Sequence, residues 1–345
     1  MPEPLTKIDV RDTLGRPMGD LRLSVIDKCN LRCTYCMPES EFGASYQFLK
    51  NDALLTFDEI TRLTKSFVQL GVSKVRLTGG EPLLRKNLPD LIAMLLEVEG
   101  LDDLALTTNG LLLADQAQAL YDAGLHRITV SIDSLNPEVA ARMNGRAIDP
   151  GDVLRAIDHA ASIGFDSIKI NAVIQRGVND HTLLDLLQHF RNTRHIVRLI
   201  EYMDVGNRNG WKLDDVVSAR EMVEKINDRF PLKPIDKQYN SEVAARYAYE
   251  DGAGEIGLIT SVTNTFCGDC TRARVSADGQ LYTCLFAGQG VDLKAALRDS
   301  ASDTELTELL ASTWSRRTDR YSELRASMTE QEQSQHKIEM YQIGG

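Results

Sequence analysis

The sequence predicts an α/β protein built on a parallel sheet, and three observations carry that prediction. From residue 21 to about 203, short apolar runs rich in β-branched residues alternate with longer segments of helical period. No hairpin signal joins consecutive runs, so each strand reaches the next through a helix by a right-handed crossover. The strands also have one apolar and one polar face, whereas strands covered on both sides read as nearly continuous apolar runs. Six such strands are fewer than the eight of a closed barrel, so a partial, splayed barrel fits as well as an open doubly wound sheet.

The strands are expected near 21–27 (LRLSVID), 73–78 (SKVRLT), 103–108 (DLALTT), 126–133 (HRITVSID), 167–174 and 196–203. Helices fit between them. Thr56 and Glu59 form a capping box before ITRLTKSFVQL, and Asn136-Pro137 and Asp149-Pro150 each set a cap residue before a proline at the first helical position. Leu21, Leu23 and Val25, Val75 and Leu77, Ile128, Val130 and Ile132, and Ile168 and Ile170 make the apolar face that helices cover. The alternate positions hold Arg22 and Ser24, Arg76 and Thr78, Thr129, Ser131 and Asp133, and Lys169 and Asn171. Neighbouring strands thus turn polar and cationic groups to one side, which suits a ligand cavity. A solvated face is the alternative, and it belongs more naturally to an antiparallel sheet.

After about residue 230 the pattern changes to loop and short strands, then helical segments and a tail ending in IGG. The expected division is a barrel region with an N-terminal extension over 1–230 and a smaller C-terminal α+β region over 231–345. At 345 residues, 43% hydrophobic and 26% charged, the chain can bury a large core. A net charge of -11 argues against non-specific binding to nucleic acid or to acidic membranes. A small anionic substrate then requires a local basic pocket. The N-terminal stretch has no apolar leader core, and no apolar run approaches the roughly 20 residues needed to span a bilayer. A soluble, cytoplasmic protein is expected.

In a reducing compartment clustered cysteines are more often metal ligands or catalytic groups than disulfides. The six cysteines fall into two triplets: Cys29, Cys33 and Cys36 with spacing C-x3-C-x2-C, and Cys267, Cys270 and Cys284 with spacing C-x2-C-x13-C. The first follows the first strand, on the edge where parallel sheets carry their active sites. Three thiolates can hold three corners of an iron-sulfur cube and leave one iron open to a small molecule. A structural zinc needs four ligands, and no local histidine supplies the fourth. Gly79 and Gly80 at the end of the second strand let backbone approach a ligand closely. Arg272 and Arg274, just after the second pair of cysteines, have the forked donors that suit phosphate. The six histidines show no ligand spacing.

The C-x3-C-x2-C loop with Tyr35 before its last cysteine resembles the signature of radical S-adenosylmethionine (SAM) enzymes. With "DLRLSVIDKCNLRCTYCMPE", "VRLTGGEPLLR", "EYMDVGN", "CTRAR" and the terminal Gly344-Gly345, the resemblance extends over nearly the whole chain to the GTP 3′,8-cyclase family of molybdenum cofactor biosynthesis.

That resemblance implies an incomplete (βα)6 TIM-like barrel, a C-terminal region carrying a second iron-sulfur cluster, and GTP between the two clusters. It implies two 4Fe-4S clusters, one on Cys29, Cys33 and Cys36 and one on Cys267, Cys270 and Cys284. SAM contacts are implied at Tyr35, Gly79, Gly80, Glu81, Ser131, Arg198 and Met203. GTP contacts are implied at Arg22, Arg76, Thr107, Lys169, Arg272, Ala273 and Arg274. Arg272, Arg274 and a tail of Gly344 and Gly345 reaching the active site carry the catalytic expectation. The implied reaction abstracts hydrogen from C3′ of GTP, closes a bond to C8 of guanine, and draws its electron from an external donor. Cyclic pyranopterin monophosphate synthase is the implied pathway neighbour, and a homodimer is left open. A peptide-modifying radical SAM enzyme and a non-catalytic zinc protein are the rival readings.

Overall fold

The computed structural model describes residues 7–239, 241–329 and 335–344. All six expected strands are present: β1 (Asp20–Ser24), β2 (Lys74–Thr78), β3 (Asp103–Thr108), β4 (Arg127–Ser131), β5 (Lys169–Ile174) and β6 (Ile196–Glu201). They pair in chain order, each parallel to the next. Between them run α1 (Phe57–Gln69), α2 (Leu88–Leu96), α3 (Leu113–Asp122), α4 (Pro137–Asn144), α5 (Pro150–Ile163) and α6 (Leu183–Phe190). The caps form as the sequence reads. Thr56 Oγ1 accepts from the Glu59 N–H, Asn136 accepts from Glu138 and Val139, and Asp149 accepts from Gly151. Each supplies an acceptor to first-turn donors that no helical carbonyl can reach.

The C-terminal region does not build a separate sheet. After α7 (Ala219–Asn227), β7 (Leu232–Ile235) and β8 (Ala244–Tyr249) lead to β9 (Glu255–Ile259), which pairs parallel with β6. At the opposite edge β10 (Arg272–Val275) pairs parallel with β1 and is followed by β11 (Gln280–Tyr282) and β12 (Val291–Asp292). The strand order is β12-β11-β10-β1-β2-β3-β4-β5-β6-β9-β8-β7. The two ends of this order do not pair with each other among the described residues, so the barrel stays incomplete, as expected. Two C-terminal strands extend its parallel run, one on each edge. Sequence reading placed strands there without revealing that they would continue the barrel.

Period-2 alternation holds across the sheet. Leu21, Leu23, Val75, Leu77, Val130, Ile168 and Ile170 lie in the core beneath the helices, each nearly or fully buried. Their neighbours face the barrel interior. The register sets Arg22 opposite Arg76 on β2 and opposite Arg274 on β10, so three arginines form one row across adjacent strands. Finally α8 (Leu293–Arg298) and α9 (Asp303–Ser315) pack outside, α9 against α1.

Candidate active site

The loop after β1 carries the first cysteine triplet, and the Gly79-Gly80 turn after β2 supports it. The Gly80 and Glu81 N–H groups donate to the carbonyls of Ile26 and Lys28, both at 2.8 Å, extending the β1–β2 pairing into the loop. A side chain at Gly80 would overlap the Lys28 carbonyl and come within 2.7 Å of the Asp27 carbonyl oxygen. Glycine is required there by close approach of backbone to backbone. The Arg32 and Thr34 N–H groups, on the far side of the loop, donate to Asn144 and Met143 at the end of α4, both at 2.9 Å.

The second triplet lies at the other end of the barrel. Cys267 and Cys270 immediately precede β10, and Cys284 follows β11, which runs antiparallel to β10 back towards the same end. Because β10 is parallel to β1, the first triplet follows the C-terminal end of the strands and the second precedes the N-terminal end. The row of Arg22, Arg76 and Arg274 stands between them. All six cysteines, and those three arginines, line one cavity of about 280 Å³.

The cavity is strongly cationic inside an acidic protein. Arg76 Nη1 donates to Thr107 at 3.1 Å and Thr129 at 2.9 Å, and Arg198 Nε donates to Asn171 at 2.9 Å. Burial, and then the neighbouring Arg76 and Arg272, push Arg22 down to about 9; burial, Arg272 and Arg22 do the same to Arg274. Each remains charged at neutral pH. Like charges held this close destabilise one another until an anion arrives. Arg272 differs: its Nη2 lies 3.7 Å from Cys270 Sγ and its guanidinium stacks 4.8 Å from the Phe266 ring centroid.

The thiols fall into two electrostatic settings. Burial holds Cys29 up at about 11, and raises Cys33 and Cys36 well above the ordinary thiol range. Burial likewise lifts Cys284 to about 12. For Cys270 burial pushes upward too, but the charges of Arg272 and Arg317 outweigh it and bring the thiol down to about 6. A metal must displace protons from such groups, so binding works against burial at the first triplet and with the local field at Cys270. Among the described residues no three His, Cys, Asp or Glu side chains form a ready shell for a single metal ion. A cluster makes a different demand, giving each thiolate its own iron and so spacing the sulfurs more widely than one ion does. Three thiols at each end of a shared cavity fit that donor set.

Tyr35, Gly79, Gly80, Glu81, Ser131, Arg198 and Met203 all line the cavity, as do Thr107 and Arg272. The Tyr35 hydroxyl donates to Asp133 at 2.9 Å. Glu81 is engaged internally: its carboxylate accepts from Leu83 N–H, Thr108 Oγ1 and Asn109 N–H at 3.1, 2.7 and 2.8 Å. Those bonds tie the ends of β2 and β3 together, although burial still lifts the group to about 7. Lys169 does not form part of the wall, but its charge interacts with those of Arg198, Arg127 and Arg76. Ala273 is placed elsewhere, because it alternates with its arginine neighbours and packs fully buried in the core beneath the helices.

The tail reaches the cavity. Ile338 N–H donates to the Ala287 carbonyl, the Tyr341 and Tyr46 hydroxyls meet at 2.6 Å, and Met340 and Tyr341 line the wall. The Gly344 carbonyl accepts from Arg274. Gly345 lies outside the described residues. Sequence reasoning missed Asn109, Asp133, Arg16 and Arg317 as site residues. Asp133 was legible as an inward-facing position, and Asn109 sits at a strand end before glycine, but no motif marks the other two.

A barrel open at one seam, with a cysteine loop at the C-terminal end of its strands, defines a radical SAM protein. A model of the Radical SAM superfamily matches residues 23–190, and one described as Molybdenum Cofactor Synthesis C matches residues 195–323. A GTP 3′,8-cyclase of Acidothermus cellulolyticus is 54% identical over 92% of this chain and 89% of its own length. One from Xanthomonas axonopodis pv. citri is 53% identical over 97% and 99%, and one from Staphylococcus haemolyticus 48% over 97% and 99%. The chain belongs to the GTP 3′,8-cyclase family. Among solved structures, that of Streptococcus suis SuiB bound to S-adenosylmethionine superposes with a TM-score of 0.60 at 16% identity, covering 91% of this chain and 69% of that one. That likeness is one of fold. No helix among the described residues is long and apolar enough to cross a membrane.

Proposed function

We propose that this chain converts GTP to (8S)-3′,8-cyclo-7,8-dihydroguanosine 5′-triphosphate using SAM and two 4Fe-4S clusters. The observation that carries this reading is the single cavity with cysteine triplets at its two ends and a row of arginines between them. Cys29, Cys33 and Cys36 would hold the cluster that binds SAM, and Cys267, Cys270 and Cys284 the second. When bound, that cluster and SAM would supply one-electron chemistry able to abstract hydrogen from the substrate.

The protein's own work is positioning. Arg22, Arg76 and Arg274, with Arg272, offer a triphosphate charge-assisted bonds along one wall, Lys169 adds its charge from off that wall, and their mutual repulsion is relieved when it binds. Tyr35, Ser131 and Met203 on the cavity wall would limit what a radical can reach. An external donor supplies the electron, and cyclic pyranopterin monophosphate synthase is the proposed consumer of the product.

The test is anaerobic incubation of cluster-loaded protein with SAM, GTP and a reductant, following 5′-deoxyadenosine and the cyclised nucleotide by mass spectrometry. GTP-dependent appearance of both supports the reading. Deoxyadenosine without a modified nucleotide would move the substrate elsewhere.

Arg22→Ala removes a charged donor from the middle of the row. GTP affinity should fall about tenfold to a hundredfold, corresponding to about 1.5–3 kcal/mol for hydrogen bonds to charged groups. The melting temperature should hold or rise, since a like-charge neighbour is removed. Parallel loss of melting temperature and affinity would make Arg22 a structural residue.

The pH dependence of binding should report Lys169. Burial, and then Arg198, Arg127 and Arg76, lower it to about 8. Only the protonated form attracts a triphosphate, so affinity should decline as pH rises through about 8. The terminal phosphate, with a second pKa of about 6, is already fully ionised there. Lys169→Gln should flatten that part of the profile in GTP dissociation constants measured between pH 7 and pH 9.

A further inference from the structure

Two arginines on the cavity wall beside the second cysteine triplet have no part in the reading above: Arg16 and Arg317. They are 3% and 4% exposed, and Asp12 between them is 6% exposed. Asp12 Oδ2 accepts from Arg16 Nε at 2.6 Å and from Arg317 Nη1 at 3.3 Å. Arg16 Nη1 donates to the carbonyls of Cys267 and Asp319 at 2.7 and 2.9 Å, and Arg317 Nη1 donates to that of Cys270 at 2.7 Å. Trp314 braces the pair, stacking 4.5 Å from the Arg317 guanidinium and donating Nε1 to the Arg16 carbonyl at 3.0 Å. The N-terminal segment thus holds the backbone of Cys267, 251 residues further along the chain, directly through Arg16, while Arg317, tied to it through Asp12, holds that of Cys270.

Two buried donors in this pair make no hydrogen bond among the described residues: Arg317 Nε, which faces the Asp319 carboxylate at 3.4 Å, and Arg16 Nη2, which has no such counter-charge. Leaving a buried donor unpaired costs about 1–3 kcal/mol, and more when it is charged. Cluster sulfurs accept such bonds, and hydrogen bonds to them are among the determinants of a cluster's reduction potential.

Resting on the reading that Cys267, Cys270 and Cys284 hold a cluster, we propose that Arg16, oriented by Asp12, donates through Nη2 to a sulfur of that cluster and raises its reduction potential. Arg16 is a positioning and tuning residue, while Arg317 fixes the loop through the Cys270 carbonyl. The bond places positive charge and a donor beside an assembly that becomes more negative on reduction, so it favours the reduced state.

The test uses the full chain carrying Cys29→Ala, Cys33→Ala and Cys36→Ala, so that iron loads at the second site alone. Iron and sulfide content, the EPR spectrum of the reduced cluster and its midpoint potential are compared with and without Arg16→Lys, Arg16→Gln and Asp12→Asn. Arg16→Gln should retain iron yet shift the potential downward and alter the EPR signature. Arg16→Lys, which keeps charge but loses the fork, should shift it less, and Asp12→Asn should shift it in the same direction. An exposed control, Arg155→Gln, should change nothing. Full iron with an unchanged potential and spectrum in the Arg16 variants overturns the proposal, and so does lost GTP affinity at constant potential, which would assign Nη2 to the substrate. Should both Arg16 variants fail to fold, an unchanged potential in Asp12→Asn overturns it. If the parent triple variant binds no iron, the cluster reading itself fails, and that outcome is distinct from failure of the tuning role.

Discussion

Gly80→Ala is expected to separate the first cysteine loop from its support and to abolish SAM cleavage while the second site still takes up iron. The added methyl would meet backbone, the carbonyls of Lys28 and Asp27, and not the movable end of a side chain. Overpacking of this kind costs about 1–3 kcal/mol when the surroundings can yield. Here what yields is the Ile26–Lys28 strand extension that leads directly to Cys29, held by the Gly80 and Glu81 N–H bonds. Moving that segment displaces Cys29, the first of the proposed cluster ligands, so the effect on chemistry exceeds the effect on stability. If both triplets hold clusters as proposed, iron content should fall by about half, and SAM-dependent deoxyadenosine should disappear with and without GTP. Folding should persist because the core beneath β1 and β2, Leu21, Leu23, Val75 and Leu77, is untouched. Full iron and normal cleavage in this variant would mean that the close approach at Gly80 is incidental.

Gly80 also shows how far the sequence could be read. The barrel's six strands and its inward-facing cations were legible because strand side chains alternate with period two, and a register error of one residue would have exposed every apolar position. The row of Arg22, Arg76 and Arg274 was half legible. Arg22 and Arg76 could be placed on an inner face and Arg274 only beside the second cysteines, because the pairing of β10 against β1 is a long-range one with no local signal. Glu81 illustrates a different limit. Its position beside two glycines in a ligand-binding turn resembled a cofactor contact, whereas its oxygens satisfy the N–H groups of Leu83 and Asn109 and the hydroxyl of Thr108. Local sequence cannot distinguish a carboxylate that binds a ligand from one that braces a turn. Asp12, Arg16 and Arg317 were invisible for the same reason, since their meaning lies in contacts across some 300 residues of chain.

Gly344→Ala should uncouple radical formation from product formation. Gly344 has φ +67 and ψ 131, a combination that residues with a side chain rarely adopt, and its added carbon would overlap the Thr78 methyl and lie 2.8 Å from Thr78 Cβ. Thr78 ends β2 beside the Gly79-Gly80 turn, and Arg274 donates to the Gly344 carbonyl. The tail therefore bridges the end of the barrel that carries the first triplet to an arginine of the phosphate row. Upstream anchors, Lys337 on Asp204 and Tyr341 on Tyr46, should keep residues 335–342 docked in the variant. Only the tip is displaced, so SAM should still be cleaved, while loss of one oriented contact at Arg274 misplaces the nucleotide. A misplacement of about 1 Å can cost a hundredfold in an oriented reaction. The expected result is a ratio of cyclised nucleotide to deoxyadenosine reduced about a hundredfold, with GTP affinity changed by less than about tenfold. An unchanged ratio would reduce the tail tip to a plug, and equal loss of both products would place its role before radical formation.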